Sequence, residues 1–272
     1  QDQGLDEVVQ TSLVREGHEG PFLEGDAVRV AEPMGDYQQF RQSLLPGLLE
    51  LAARRRRDGV DRVAVFEIGT VVHEREGRTI EDRRLAILVA GSLETGPFLE
   101  APGALQPDVR WAQGLAASLV SLFRPGAELS WRAVQRKGLQ PGRTAVALEG
   151  ACLVGELHPA TLEDLGMVGW SRVVLLEVSV AALEAAEAEQ GNRVYRAFDR
   201  LPSASRDLAL LIRDEVAAAE VVHAIRDASG SALRSLRVFD RYKGPGVPDG
   251  HASLAVSLSF GASSPECCSS AP

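Results

Sequence analysis

The residues best suited to bind a ligand lie near the carboxyl end of the chain. Arg206 begins one predicted strand, and Arg241, Tyr242 and Lys243 end another, just before a loop rich in glycine and proline. Arginine and lysine side chains contact phosphates, and a tyrosine ring can stack on an unpaired base, as it does on sheets that bind RNA. These four residues are therefore our candidate RNA-binding site.

The segment that holds these residues has the pattern strand, helix, strand, strand, which begins a split β-α-β motif. In such a motif the first strand lies beside a strand that follows the helix, so we expect the four residues to share one sheet end. The alternative is structural: Arg206 would pair with Asp207 or Asp240, and Tyr242 would be half-buried. The polar stretch after Phe260 is too short for a second helix and a fourth strand. We therefore expect an incomplete β-α-β-β module, in a chain that is part of something larger or has a divergent end.

Nothing else in the sequence predicts catalysis or a bound cofactor. The stretch Gly166 to Gly169 lacks the Lys-Ser/Thr pair of a phosphate-binding loop, and no strand leads into it as a dinucleotide-binding motif requires. The five histidines are scattered, and the adjacent Cys267 and Cys268 lack the spacing of a metal site. We therefore predict no catalytic residue, no metal ligand and no cofactor in this chain.

The charge of the chain excludes a basic protein that coats nucleic acid. The net charge is −9 at pH 7, and residues 194–272 hold nine basic and nine acidic residues, so the whole −9 belongs to residues 1–193. A neutral terminal module can still present a local basic face to RNA. No apolar stretch approaches the roughly 18 residues of a membrane span, and the amino terminus has no signal-peptide pattern. We expect a cytoplasmic chain without a membrane partner.

Residues 43–57 predict one long helix with a broad leucine face and with Pro46 in its first turn. Ser43 is a competent N-cap, and Gly59 suits the position that follows the C-cap. The four arginines at 54–57 lie where cations favour the helix macrodipole. We therefore interpret them as structural rather than as an RNA-binding patch.

The remaining elements of residues 1–190 are dominated by hairpins. Residues 62–73 and 84–90 predict one hairpin with a long charged tip. Residues 144–148 and 151–158 predict another around Glu149-Gly150, a two-residue turn signal. Antiparallel hairpins with interspersed helices indicate an α+β fold rather than an alternating parallel sheet.

Six short motifs follow one another in an order and at a spacing that are hard to obtain by chance. They are Phe40 to Leu49, Val65 to Gly69, Pro141 to Arg143, Gly155 to Pro159, Arg206 to Ala209 and Phe239 to Gly244. Each motif alone would be weak, but the series extends over nearly the whole chain. It resembles the carboxyl-terminal half of the bacterial phenylalanyl-tRNA synthetase β subunit.

The resemblance implies a fold and a role for each part of the chain. Residues 1–191 would form a class II synthetase-like antiparallel sheet, flanked by helices, that does not catalyse. Residues 192–272 would form a truncated ferredoxin-fold anticodon-binding domain, and Gly191-Asn192 after a predicted helix marks the boundary. In the family, a phenylalanine–tRNA ligase, this part assembles with the catalytic α subunit as α2β2 and binds tRNA(Phe). ATP and magnesium are then expected only in the holoenzyme.

A second interpretation comes from a different functional class. The chain would be a free-standing non-catalytic paralogue that binds a protein or a nucleic acid. The full reading frame would separate the two, because a β subunit continues for several hundred residues toward the amino terminus. An independent enzyme is disfavoured, since no nucleophile, base or cofactor loop is visible.

Overall fold

The chain divides into two compact units, Gln1–Asn192 (unit 1) and Arg193–Pro272 (unit 2). Both combine helices with antiparallel sheets, which confirms the predicted α+β fold. No helix in the described ranges is long and apolar enough to span a bilayer. The computed structural model describes residues 4–18, 22, 26–91, 106–124, 127–188 and 203–261.

Unit 1 is built on a seven-stranded sheet. Its elements are β1 (Asp6–Glu7), β2 (Leu13–Arg15), β3 (Arg29–Met34), β4 (Tyr37–Phe40), α1 (Leu45–Arg57), β5 (Val63–Arg75), β6 (Arg78–Ala90), α2 (Val109–Phe123), β7 (Arg132–Ala133), β8 (Leu139–Ala147), β9 (Cys152–Leu157), α3 (Pro159–Asp164), β10 (Val173–Ser179) and α4 (Val180–Ala188). The large sheet has the order β1-β5-β6-β10-β9-β8-β7, and β2-β4-β3 form a small second sheet. Neighbouring strands are antiparallel except for the parallel pair of β1 and β5.

Helices cover both faces of the large sheet. Leu175 of β10 faces the core that contains α1 and α3, and the next residue, Leu176, faces the core that contains α2 and α4. Side chains of a strand alternate between the two faces. A central strand that is covered on both sides is therefore apolar without interruption, and this explains the run from Val173 to Leu176.

The hairpin of β5 and β6 is longer than its sequence predicts. Its residues pair from Val63 with Ala90 to Arg75 with Arg78, so the turn consists only of Glu76 and Gly77. Both turn residues have positive φ, 54° and 71°, as a type I′ turn requires. The predicted long charged tip is wrong because a two-stranded ribbon can pair its backbone while its charged side chains stay in water.

The hairpin of β8 and β9 has a longer connection than its sequence predicts. Its last pair is Ala147 with Cys152, and the loop between them contains a 3-10 turn at Leu148–Gly150. Leu148 and Glu149 as well as Gly150 have positive φ. The two-residue turn prediction fails because leucine gives no signal for a left-handed backbone.

Helix α1 begins at Leu45, and Leu44 before it already has helical φ and ψ. The predicted N-cap Ser43 caps the helix, since its hydroxyl oxygen accepts a hydrogen bond from the Leu45 amide at 3.1 Å. Glu177 of β10 adds a second cap. Its Oε1 accepts hydrogen bonds from the Leu44 amide at 2.7 Å and from the Ser43 hydroxyl at 3.0 Å. A carboxylate that is distant in sequence therefore satisfies the helix start, where negative charge is favourable. The predicted leucine face is buried, and Leu48 has no exposed surface.

Unit 2 contains β11 (Ala204–Arg213), α5 (Ala218–Ser229), β12 (Leu233–Tyr242) and β13 (His251–Phe260). This order confirms the predicted strand-helix-strand-strand pattern. The sheet has the order β11-β13-β12, and β13 is antiparallel to both neighbours. Leu254, Val256 and Leu258 alternate along β13 and form the core with apolar residues of α5.

Candidate nucleic-acid interface

Two of the predicted site residues meet at one end of the unit 2 sheet, around a carboxylate. Arg241 lies near the end of β12, and Lys243 directly follows that strand. Lys243 Nζ is 2.7 Å from Asp214 Oδ1, and Arg241 Nη2 is 3.7 Å from the same oxygen. Arg241 also donates a hydrogen bond to the Asp214 carbonyl at 3.3 Å. The two cations therefore converge on one point, which the sequence did not reveal because Asp214 lies in the turn between β11 and α5.

The backbone around Asp214 holds this arrangement in place. The Asp214 amide donates to the Gly250 carbonyl at 2.9 Å, which links the turn after β11 to the loop before β13. The Val216 amide donates to the Arg213 carbonyl at 3.1 Å and closes the turn itself. The backbone that carries the carboxylate is thus held by main-chain contacts that do not depend on the side-chain charge.

Tyr242 belongs to a row of residues on the sheet face that points away from α5. Ser253 pairs with both Tyr242 and Leu211, and directly paired residues share one face. Tyr242 is 45% exposed and Leu211 is 57% exposed. The tyrosine ring lies against Gly244, where a Cβ would be 2.5 Å from its hydroxyl oxygen. This row offers an exposed apolar surface on which a base could stack.

Leu211 was missed by sequence reasoning. It stands in an apolar run that was assigned as a whole to the predicted strand, without deciding which of its members face water. The alternation of the strand was the available signal. Leu210 and Ile212 pack toward α5, so the residue between them must face outward.

Arg206 does not share this end of the sheet. It pairs with Leu258, whereas Arg241 pairs with Leu254, four residues along β13 and so about 13 Å away. The expectation of one shared end was wrong because β13 lies between β11 and β12 and makes these two strands parallel. The start of one parallel strand lies far from the end of the other.

The structural alternative for these residues is observed only in part. Arg206 donates to the Ser205 carbonyl at 2.9 Å, and in the part of the chain that the structure describes it forms no ion pair with Asp207 or Asp240. Tyr242 is 45% exposed, which agrees with the half-buried position that this alternative expects. Arg206 therefore stays a predicted RNA contact, separate from the other three.

Unit 1 contains a buried ion pair that joins the connection before α1 to β5. Arg41 Nη1 lies 2.7 Å from Glu67 Oε1, and the two side chains are 6% and 1% exposed. Arg41 Nε donates to the Thr70 carbonyl at 3.1 Å. Gly69 makes room for the pair, since a Cβ there would lie 2.3 Å from Arg41 Nη2. The motif Val65 to Gly69 thus ends in glycine because any larger side chain there would collide with Arg41.

A second polar cluster lies on the same sheet and includes the carboxylate that meets the start of α1. Arg84 Nη1 is 2.9 Å from Glu177 Oε2, and Arg84 Nε is 2.9 Å from Asp82 Oδ2. Burial lowers the pKa of Arg84, but the charges and hydrogen bonds of Glu177 and Asp82 outweigh that effect and raise it. The guanidinium therefore stays charged and is held by two carboxylates.

No metal-binding group is found within the described ranges: no three His, Cys, Asp or Glu side chains cluster there. Burial raises the pKa of the Cys152 thiol to about 12, which makes it a packed, unreactive side chain. Cys267 and Cys268 lie outside the described residues.

Comparisons with known proteins account for both units. Residues 1–180 match the family model of the phenylalanyl tRNA synthetase beta chain CLM domain. The chain belongs to the phenylalanyl-tRNA synthetase beta chain family. Residues 199–265 match the ferredoxin-fold anticodon binding domain. These matches confirm the resemblance that the six motifs indicated.

Individual members of this family are similar to most of the chain. Identity to the phenylalanine–tRNA ligase beta subunit of Geobacillus kaustophilus is 34% over 86% of the chain. For the same subunit of Synechocystis sp. it is 33% over 94%, and for that of Moorella thermoacetica it is 34% over 86%. The chain spans 29% to 31% of the length of these relatives.

Proposed function

We propose that the chain works as part of the β subunit of phenylalanine–tRNA ligase, a class II aminoacyl-tRNA synthetase. It supports assembly with the catalytic α subunit, in an α2β2 heterotetramer, and it helps to bind tRNA(Phe) for aminoacylation in the cytoplasm. The observation that carries this proposal is the presence of both family matches, in this order, in one chain.

Unit 1 serves this function as a class II synthetase-like scaffold without catalysis, and residues 1–191 form that domain. Its sheet does not fit an ATP site, because the buried Arg41 and the partly buried Arg84 beside it are already held by carboxylates. Arg41 is paired with Glu67, and Arg84 with Glu177 and Asp82. ATP and magnesium therefore belong to the holoenzyme through its α subunit, and the residues of this chain hold neither.

Unit 2 supplies the RNA contacts, and residues 192–272 form the anticodon-binding domain. Arg241 and Lys243 contact a phosphate at one end of the sheet, and the exposed ring of Tyr242 stacks on an unpaired base. Arg206 contacts a separate phosphate, about 13 Å along the sheet. Contacts to phosphates position an RNA strand, and stacking adds affinity with little dependence on sequence.

Co-purification tests the assembly. The full reading frame that contains this chain is co-expressed with the phenylalanyl-tRNA synthetase α subunit of the same organism. We expect one complex that catalyses phenylalanine-dependent pyrophosphate exchange, while the present chain alone shows no exchange. Failure of the two proteins to form a complex would favour a free-standing paralogue. Exchange by the chain alone would contradict the non-catalytic role of unit 1.

A further inference from the structure

The two cations of the proposed RNA site are already bound to an anion that belongs to the chain. Lys243 Nζ and Arg241 Nη2 both approach one oxygen of Asp214, at 2.7 Å and 3.7 Å. Arg241 is 41% exposed, Lys243 52% and Asp214 38%, so water and ligands reach the whole group. The three side chains therefore form a solvent-accessible cluster rather than a buried ion pair.

The position of the carboxylate resembles that of a bound phosphate. A phosphodiester binds by placing a negatively charged oxygen between cationic donors, which Asp214 Oδ1 does here. The Asp214 backbone is held by the Gly250 carbonyl and by Arg241, so a substitution that changes only the side-chain charge leaves the backbone contacts in place. Only one anion can take this position between the two cations.

We propose that Arg241 and Lys243 form a site for one RNA phosphodiester and that Asp214 is its internal competitor. This inference rests on the proposed role of unit 2 in RNA binding. In the RNA-free chain the Asp214 carboxylate occupies the position of a phosphate oxygen, and it gives up that position when RNA binds. Exposed ion pairs are weak, so the competition lowers RNA affinity by a modest factor and does not block the site.

The competition predicts that Asp214→Asn strengthens RNA binding. The assembled synthetase with this variant is titrated with a tRNA(Phe) transcript at several salt concentrations. We expect the affinity for tRNA to rise by up to about fivefold, the factor that corresponds to the largest usual contribution of an exposed ion pair. We also expect the slope of log K against log salt to steepen by up to about 0.7, the value for one more single-strand phosphate contact.

Asp249→Asn is the matched control, since it removes the same charge from the loop before β13. The Asp249 carboxylate forms no hydrogen bond or ion pair within the described residues. A gain with Asp214→Asn that clearly exceeds the gain with Asp249→Asn supports the proposal. Equal gains, no gain or a loss would overturn it, and Asp214→Ser serves as a second variant if the amide forms new hydrogen bonds.

A double-mutant cycle separates this inference from the proposed function. Arg241→Ala and Lys243→Ala together should weaken tRNA binding, and adding Asp214→Asn to them should strengthen binding no more than Asp249→Asn does. If the alanine pair has no effect, the RNA site itself is refuted. If the alanine pair weakens binding but Asp214→Asn does not strengthen it, the RNA site stands and the internal competitor is refuted.

Discussion

Glu67→Gln should destabilise unit 1 strongly, because it leaves the charge of Arg41 buried and unpaired. The glutamine side chain keeps the size of Glu67 and can still accept the Arg41 hydrogen bond, so the variant isolates the charge. Both side chains are at least nine-tenths buried. Removing one partner of a buried ion pair lowers the free energy of unfolding by about 3–5 kcal/mol. For a unit of this size, that loss lowers Tm by roughly 6–20 °C.

The surface pair of Arg29 and Glu16 is the matched control. It has the same 2.7 Å distance as the buried pair, but its side chains are 59% and 66% exposed. Glu16→Gln should therefore cost only about 0–1 kcal/mol. The two variants differ in burial and not in the length of the broken contact.

Urea unfolding followed by tryptophan fluorescence measures both variants, since Trp111, Trp131 and Trp170 all lie in unit 1. Comparable m-values are needed so that the midpoints report the free energy of unfolding. Adding Arg41→Met to Glu67→Gln should recover part of the loss, because it removes the uncompensated charge. The reasoning is refuted if Glu67→Gln costs no more than Glu16→Gln.

Three further predictions concern stability and the RNA site. Leu48→Ala should lower the free energy of unfolding of unit 1 by about 2–5 kcal/mol because Leu48 is fully buried. Leu122→Ala, at a position that is 66% exposed, should lower it by less than about 0.5 kcal/mol. Equal losses would mean that the leucine face of α1 does not form a core. Asp108→Ala should cost about 0.5–2 kcal/mol because the carboxylate caps α2 through the Trp111 amide. Burial raises the pKa of Asp108, but the hydrogen bonds to Trp111 and Arg110 outweigh that effect and lower the pKa. The cap should therefore stabilise the fold fully above the pKa of Asp108 in the unfolded chain, and this stability should be lost as the pH falls through the pKa in the folded chain. Urea midpoints of wild type and variant that fail to converge at low pH would contradict this. Gly244→Ala should displace the Tyr242 ring and weaken tRNA binding without lowering Tm, and unchanged affinity would show that ring position is irrelevant.

Local patterns predicted the elements of this chain better than their ends. The leucine face and the closing Gly59 of α1 are local features, and the structure has both. The N-cap Ser43 is also local, and its hydroxyl caps the Leu45 amide. The start of α1 depends as well on Glu177, which lies 133 residues beyond Leu44. No local pattern contains such a partner, so this second cap could not be predicted.

The residues of the proposed RNA site could be chosen by type, but their arrangement could not be predicted. Cations and a tyrosine near strand ends identified three residues of one sheet end, Arg241, Tyr242 and Lys243. Whether Arg206 joins them depends on strand order, and the pattern strand-helix-strand-strand does not fix which strand lies in the centre. The acidic partner Asp214 was hidden because it contacts the cations only through the fold.

The salt dependence of tRNA binding tests the central claim most directly. The assembled synthetase is compared with a variant that carries Arg241→Ala and Lys243→Ala, and with a control that carries Arg75→Ala and Arg78→Ala. The control removes two exposed positive charges beside the turn of the β5–β6 hairpin in unit 1. We predict weaker binding and a flatter salt slope for the first variant only. Wild-type affinity and slope in that variant, with its fold intact, would contradict the claim that this end of the sheet binds RNA.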